Sequence, residues 1–313
     1  MISILMAAYN GEKYIKEQIE SLLKQTVQDF KLFINDDGSS DSTYKISLEY
    51  SKKYPEKIFV TKSSDDRRGA KHNFIKMMVE HKNDYVMLCD QDDVWLLNKI
   101  EKSLNKMKEM EEQYGKTKPL LLHTDLIVVD KFLNTTSPSF KKMNKARFDK
   151  NKLNNLVVQN IVQGCTVMYN RALADLIIDV EPIYMIMHDW WLALIAAAFG
   201  EIAVLEEQTA LYRQHESNAF GANKRGRVFH FFHKLLNFDE VNATLNNTYF
   251  QAGHFFTSYE KLLSKENQEL LIAYMEIPGM KRVEKLKVLY KHKTWKNGFI
   301  RKIAQILAKP KYY

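Results

Sequence analysis

Cys89-Asp90-Gln91-Asp92-Asp93-Val94-Trp95 is the stretch that decides how this chain of 313 residues is read. It follows Asp84-Tyr85-Val86-Met87-Leu88, a short apolar run that reads as a buried strand, so three carboxylates fall where that strand ends. In open α/β sheets ligands bind beyond the carboxyl ends of the strands. A hard dication such as Mg²⁺ is held there by carboxylates together with the phosphate oxygens of a substrate. An Asp-x-Asp at that position points to a metal-bridged diphosphate. The competing reading is that Asp92 or Asp93 caps the next helix, Asp being a favoured N-cap. A cap accounts for one acid of the three, and both readings stand on the local sequence.

Outward from this stretch, apolar runs alternate with amphipathic segments. Ile2 to Ala8 reads as a first strand rather than a signal peptide, because it lacks a basic flank and leads straight into Ala8-Tyr9-Asn10-Gly11. From Tyr14 to Gln25, Ile15, Ile19, Leu22 and Leu23 recur at helical spacing. Phe30 to Ile34 is a second strand. It runs into Asn35-Asp36-Asp37-Gly38-Ser39-Ser40-Asp41-Ser42, where Gly38 permits a tight turn and Asp41 or Ser42 can cap a helix from Thr43. Ile58 to Val60 is a third strand, followed by a polar loop from Ser63 to Gly69 and a helix from about His72 to His81. These β-then-α units predict a parallel sheet with helices on both faces. The loops after strands one, two and four then share one sheet edge and bring together Tyr9 and Asn10, Asp36 and Asp37, Asp90 and Asp92. Neither Gly-x-Gly-x-x-Gly nor a P-loop is present, so a diphosphate here is handled through a metal rather than a glycine cradle. Taken alone, Asp36-Asp37-Gly38 is equally a turn with an Asx side-chain bond.

Two cysteines, Cys89 and Cys165, lie far apart in apolar surroundings, which suits a reduced, cytoplasmic chain without a disulfide framework. The longest apolar stretch, Trp190 to Phe199, is too short to span a bilayer. The net charge of +8 is unevenly placed: residues 221–313 hold 17 Lys+Arg against 7 Asp+Glu, a surplus of +10, which leaves −2 on residues 1–220. The expected division is therefore a body of residues 1–220 and a basic helical extension of residues 221–313. A basic extension meets an anionic surface or is simply a solvated helix face.

Past the acidic stretch, Asn98 to Tyr114 reads as a helix and Leu120 to Asp125 as a strand. Phe132 to Lys150 lacks a period and reads as a mobile loop, and Gln163 to Tyr169 returns to strand, with Gly164 permitting close backbone approach and Cys165 buried. His188-Asp189-Trp190-Trp191 sets a carboxylate at the start of a helix beside aromatics. Partial burial raises such a group towards the working pH and suits a general base, although an Asp there is also an N-cap. In the extension, Val241, Leu245, Tyr249, Ala252, Phe256, Tyr259 and Leu263 form the stripe of one long helix, and Pro278-Gly279 breaks the pattern. Trp295, Phe299, Ile303 and Leu307 form a last apolar face among Lys296, Arg301 and Lys302. That is the look of an interfacial helix, or of one packed on the body or a second subunit.

In order and separation, Ala8-Tyr9-Asn10-Gly11, Asn35 to Asp41, and Asp90-Gln91-Asp92-Asp93-Val94-Trp95 resemble the family 2 glycosyltransferases of the GT-A fold, over residues 1 to about 218. The resemblance implies an α/β catalytic domain that binds a nucleotide-sugar donor. Ala8, Tyr9, Asn10, Asp36 and Asp37 would meet base and ribose, with Gly69, Asn73, Asp90, Gln91 and Arg213 completing the donor site. Mg²⁺ or Mn²⁺ would join the diphosphate to Asp92, with His215 as a further ligand. Asp189 would act as base, while Gly164, Cys165 and Trp190 would lie beside the donor sugar and acceptor. The family's acidic pair ending in Asp is here His188-Asp189, which leaves the role of the first position open. A processive synthase is not implied, because Gln-x-x-Arg-Trp is replaced by Tyr212-Arg213-Gln214-His215. Together with Gln163-Gly164-Cys165-Thr166 and His188-Asp189-Trp190-Trp191, these motifs look like those of bacterial rhamnosyltransferases of cell-wall and capsule assembly. That likeness implies dTDP-L-rhamnose as donor, a lipid-linked glycan as acceptor, a peripheral place at the inner face of the cell membrane, and no nucleic-acid partner. A UDP-hexose donor in the same fold is the alternative. A nucleotidyltransferase is disfavoured by the missing glycine loop, and a non-catalytic scaffold by the coincidence of acids at one edge.

Overall fold

The computed structural model describes residues 1–63, 69–215 and 238–309; most of the loop before Gly69 and the 220/221 division lie outside the described residues. The chain opens as expected, with β1 (Ile2–Ala8), α1 (Ile15–Leu23), β2 (Phe30–Asp36), α2 (Thr43–Lys53), β3 (Ile58–Lys62), α3 (Ala70–Glu80) and β4 (Tyr85–Asp90). It continues with β5 (Val94–Trp95), α4 (Lys99–Tyr114), β6 (Leu120–Asp130), β7 (Thr135–Ser137), α5 (Phe140–Asn144), α6 (Leu153–Leu156), β8 (Met168–Asn170), α7 (Arg171–Ala174), α8 (His188–Phe199) and β9 (Glu201–Gln214). The sheet order is β3-β2-β1-β4-β8-β6-β9-β5, with β7 on β6. β1, β2, β3 and β4 pair in parallel, as do β6 and β9, while β5, β7 and β8 pair antiparallel to their neighbours. The α/β class with a mostly parallel sheet is thus borne out.

Strands covered on both faces read as nearly unbroken apolar runs, and Ile2, Ile4, Leu5, Met6 and Ala8 of β1 are all buried. α1 adds Ile15, Ile19 and Leu22 to the same core. The register sets Ala8 beside Asp36 and Ala7 beside Asp90, so the ends of β1, β2 and β4 lie side by side.

Several local expectations change. Phe132 to Lys150 is not a mobile loop, because it holds β7 and α5. Ser139 caps α5 by accepting from the Lys142 N–H, and its hydroxyl donates to Asp125, which also accepts from the Lys141 N–H at 2.9 Å. A side-chain anchor of this kind leaves no trace in hydrophobic periodicity. Gln163 to Tyr169 is strand only from Met168, since Gly164–Thr166 forms a 3-10 turn. Neither Asp92 nor Asp93 caps a helix: α4 begins at Lys99, with β5 between.

Two compact units divide the chain: residues 1–148, 162–181 and 187–221, and residues 149–161, 182–186 and 222–313. The second unit holds α6 together with α9 (Phe238–Tyr259), α10 (Lys265–Met275), α11 (Arg282–His292) and α12 (Phe299–Leu307). α9 and α10 share a buried core, in which Thr248 and Tyr274 hydroxyls bond at 2.9 Å and the Tyr249 and Tyr274 rings sit 4.8 Å apart. The Ile186 N–H donates to Gln251 at 2.7 Å, and the Asn297 N–H to Gln159 at 3.1 Å, so both short early segments are tied into the helices. Among the described residues, no helix is long and apolar enough to cross a membrane.

Candidate active site

A cavity of about 730 Å³ opens at the ends of β1, β2 and β4. Its lining includes Ala8, Tyr9, Asp37, Gly69, Asn73, Asp90, Gln91, Asp92, Gly164, Cys165 and Asp189, so loops distant in sequence meet at one place. Asn10, Asp36, Trp190, Arg213 and His215 do not line it.

The loops after β1, β2 and β4 hold one another. Gln91 clasps the Tyr9 backbone, its carbonyl oxygen accepting from the Tyr9 N–H at 2.9 Å and its amide donating to the Tyr9 carbonyl at 2.7 Å. Gly11 makes room for this clasp, because a Cβ there would lie 2.2 Å from Gln91 Oε1. Asn10, at φ +47°, accepts from the Ser40 N–H, while fully buried Asp36 accepts from the N–H groups of Gly38 and Ser39. Asp36 therefore shapes its turn, and its neighbour Asp37 reaches the cavity, accepting from the Gly69 N–H at 2.6 Å. Asn73 is fixed on Asn35 by two hydrogen bonds of 2.9 Å: its Oδ1 accepts from Asn35 Nδ2, and its Nδ2 donates to the Asn35 backbone carbonyl.

The acidic stretch is clamped from behind by the end of β9. Buried Arg213 donates from its backbone N–H to Asp93 at 3.1 Å, from Nε to the Asp92 carbonyl at 2.8 Å and from Nη1 to the Lys131 carbonyl at 2.8 Å. It also pairs with Glu17 and lies over the Tyr14 ring. With these partners it positions the Asp-x-Asp backbone instead of facing the cavity. His215 stacks on Tyr14 and brings Nε2 within 2.8 Å of Asp92 Oδ2.

Carboxylates gathered this closely oppose one another's ionisation. Burial, with the charges of Asp92 and Asp189, pushes the Asp90 carboxyl up to about 7, and burial with Asp92 and Asp90 raises Asp93 well above the usual range. A divalent cation among these groups would reverse that penalty, so the donor set fits one. Asp90, Asp93 and Cys165 bring ligand atoms within 4.8 Å of one another. Burial, with the nearby charges of Asp93 and Asp90, raises the Cys165 thiol well above its usual range, so it stays protonated. A protonated thiol is a poor ligand for a hard dication; of the three carboxylates only Asp90 and Asp92 line the cavity, and His215 stands beside Asp92.

Beneath this cluster lies a cation that the sequence reading missed. Lys99 is fully buried, donates to the Cys165 carbonyl and to Thr209 Oγ1, each at 3.0 Å, and stands over the Trp95 ring. Burial lowers its pKa, while Asp93 and Asp90 are among the groups that oppose the shift. Its signal was available: Lys99 is the first residue of α4, where the helix dipole disfavours a cation unless an anion compensates.

Asp189 sits in the first turn of α8, whose N-cap is Met187, so it is not the cap. Its Oδ2 accepts from the Gly164 N–H at 3.0 Å. His188 beside it is buried and stacked on Phe74 at 4.1 Å, and neither ring nitrogen has a partner among the described residues. Burial drives its pKa down to about 3, so the imidazole is neutral. A Cβ on Gly164 would come within 3.0 Å of His188 Nε2, so the glycine lets its backbone pack close against a ring whose nitrogens are both buried.

The family model for glycosyl transferase family 2 matches residues 3–176. The dTDP-rhamnosyl transferase RfbG of Shigella flexneri is 28% identical over 231 residues, which cover 70% of this chain and 74% of that protein. The UDP-Glc:alpha-D-GlcNAc-diphosphoundecaprenol beta-1,3-glucosyltransferase WfgD of Escherichia coli is 33% identical over 107 residues, 34% of this chain and 41% of that one. Among solved structures, the mannosyltransferase PcManGT of Pyrobaculum calidifontis, in complex with GDP-Man and Mn²⁺, superposes with a TM-score of 0.55 at 12% identity, over 97% of this chain and 78% of that one.

Proposed function

The chain belongs to glycosyl transferase family 2 and is a glycosyltransferase, and from that premise we propose an inverting, metal-dependent transfer of L-rhamnose from dTDP-L-rhamnose to a hydroxyl of a lipid-linked glycan. One observation carries the reading: Asp90, Asp92 and Asp189, a hundred residues apart in sequence, line the same cavity. Asp90 and Asp92, with His215 alongside, would hold Mg²⁺ or Mn²⁺. The cation, when bound, offsets the charge that grows on the departing nucleoside diphosphate.

The remaining steps fall to the chain's own groups. Asp37, Gly69 and Asn73 line the donor side of the cavity, while the Gln91 clasp keeps the first and fourth loops at fixed spacing. Asp189, oriented by the Gly164 N–H, takes the proton of the acceptor hydroxyl as that oxygen bonds to the anomeric carbon. The carbon–oxygen bond to the diphosphate breaks, its electron pair stays with the diphosphate oxygen, and one displacement gives one inversion.

RfbG supports the rhamnose donor. A UDP-glucose donor is the second reading, favoured by the match to WfgD. The test is a panel of nucleotide sugars with purified full chain and Mn²⁺ or Mg²⁺, reading release of nucleoside diphosphate. Turnover with dTDP-L-rhamnose supports the first reading and turnover with UDP-glucose alone replaces it. Binding or turnover of none overturns both.

A further inference from the structure

The last two helices carry their apolar residues on the wrong side for a packed core. In α12, Phe299, Ile300, Ile303 and Leu307 fall within about 100° of one another around the axis. All are exposed, Phe299 at 78%. The residues turned inward are Ala304, Gln305 and, just past the helix, Ala308. α11 repeats the arrangement: Val283, Leu286 and Tyr290, spaced for one face, are exposed, Tyr290 at 80%, while Lys285 and Leu289 are buried.

Polar bonds fix this inversion. Lys285 Nζ donates to the Ala308 carbonyl at 2.9 Å, where α12 ends. Gln305 donates to the Thr294 carbonyl at 2.9 Å and accepts from the Lys296 N–H at 2.8 Å. Trp295, expected on the last face, precedes α12 and is half-buried. Surface helices ordinarily bury their apolar stripe, so two successive helices that present it outward need an apolar partner.

Charge selects that partner. Residues 281–309 hold ten Lys+Arg against the single acid Glu284, a net +9. Arg282, Lys287 and Lys291 of α11 and Arg301 and Lys302 of α12 are exposed with the stripes. A second copy would set +9 against +9, and nucleic acid offers nothing to seven large apolar side chains. An anionic bilayer satisfies both, its headgroups meeting the cations and its acyl boundary the apolar stripes.

We propose that α11 and α12 form one docking surface for an anionic lipid bilayer, entered by Val283, Leu286 and Tyr290 from the first helix and Phe299, Ile300, Ile303 and Leu307 from the second. This deepens the lipid-linked acceptor reading and rests on it only for why such an enzyme sits at a membrane.

The experiment is co-sedimentation of the full chain with vesicles of phosphatidylcholine, with and without phosphatidylglycerol, using no donor, acceptor or turnover. The full chain should bind the anionic vesicles, weakly or not at all the neutral ones, and less as salt rises. Phe299→Ser with Ile303→Ser should weaken binding by about tenfold or more, and Val283→Ser with Tyr290→Ser by a comparable factor. Both pairs replace exposed residues, and Arg301→Glu with Lys302→Glu, which leaves every apolar residue in place, should weaken binding several-fold as well. Equal binding to neutral vesicles overturns the proposal, as does unchanged binding of the Phe299→Ser and Ile303→Ser chain. A dimer in sedimentation equilibrium that the same pair dissolves assigns the surface to a second copy and also overturns it. Donor turnover, measured separately, reports on the glycosyltransferase reading whatever the vesicles show.

Discussion

α1 and α12 are both nine-residue amphipathic helices, and they point their apolar faces in opposite directions. α1 turns Ile15, Ile19 and Leu22 into the sheet, where each is fully buried, whereas α12 turns Phe299, Ile303 and Leu307 outward and Ala304 and Gln305 inward. The period of a sequence gives the axis of a helix's apolar face but not what covers it. For α1 the neighbouring strands supply the cover. For α12 the described residues leave much of that face exposed, and polar bonds hold the helix instead.

The same contrast separates the catalytic pocket from the extension, and it can be broken by substitution. The largest effects belong to the pocket. Asp92→Asn or Asp189→Asn should lower turnover by about 10²–10⁴-fold, while Phe299→Ser with Ile303→Ser should leave turnover of a water-soluble acceptor unchanged. Loss of soluble turnover in the α12 pair would tie that helix to the chemistry. Next comes the core: Ile19→Ala should destabilise by about 2–5 kcal/mol in urea denaturation. A smaller effect is expected at His188→Leu, which removes two unpaired buried nitrogens. Stability should hold or rise by about 1 kcal/mol in the same denaturation, and a loss of more than about 2 kcal/mol would show that the ring's packing on Phe74 outweighs its unsatisfied nitrogens. Smallest is Ile303→Ala, expected to cost less than about 1 kcal/mol because much of its side chain is exposed. A cost like that of Ile19→Ala would show that α12 buries its face after all.

Much of the pocket was legible because the β-then-α rhythm fixes where strand ends meet. That rhythm brought Tyr9, Asp37, Asp90 and Asp92 to one edge without any knowledge of side-chain contacts, while Asp189, which lines the same cavity, was found from its place at a helix start and from the family resemblance. What it could not reach were contacts made across long separations. Arg213 reads as a donor-site residue until its bonds to Asp92, Lys131 and Glu17 are seen, and Lys99, within the helix read from Asn98, gives no sign of lying under the acids until its contacts are seen. Asp93 reads as a cap until its bond to the Arg213 backbone shows it joining β9 to the acidic loop. The α5 segment reads as a loop because Asp125 and Ser139, and not a periodic apolar face, fix it. The extension's amphipathicity was visible, but its outward direction was not.

The most direct test of the central claim is calorimetric titration of dTDP-L-rhamnose, with and without Mn²⁺, into the parent chain, Asp92→Asn and Asp189→Asn. The account predicts metal-dependent donor binding in the parent, loss of the metal-dependent part in Asp92→Asn, and near-parental binding without transfer in Asp189→Asn. Equal loss of donor binding in the two variants, or binding in the parent that ignores the metal, would contradict it.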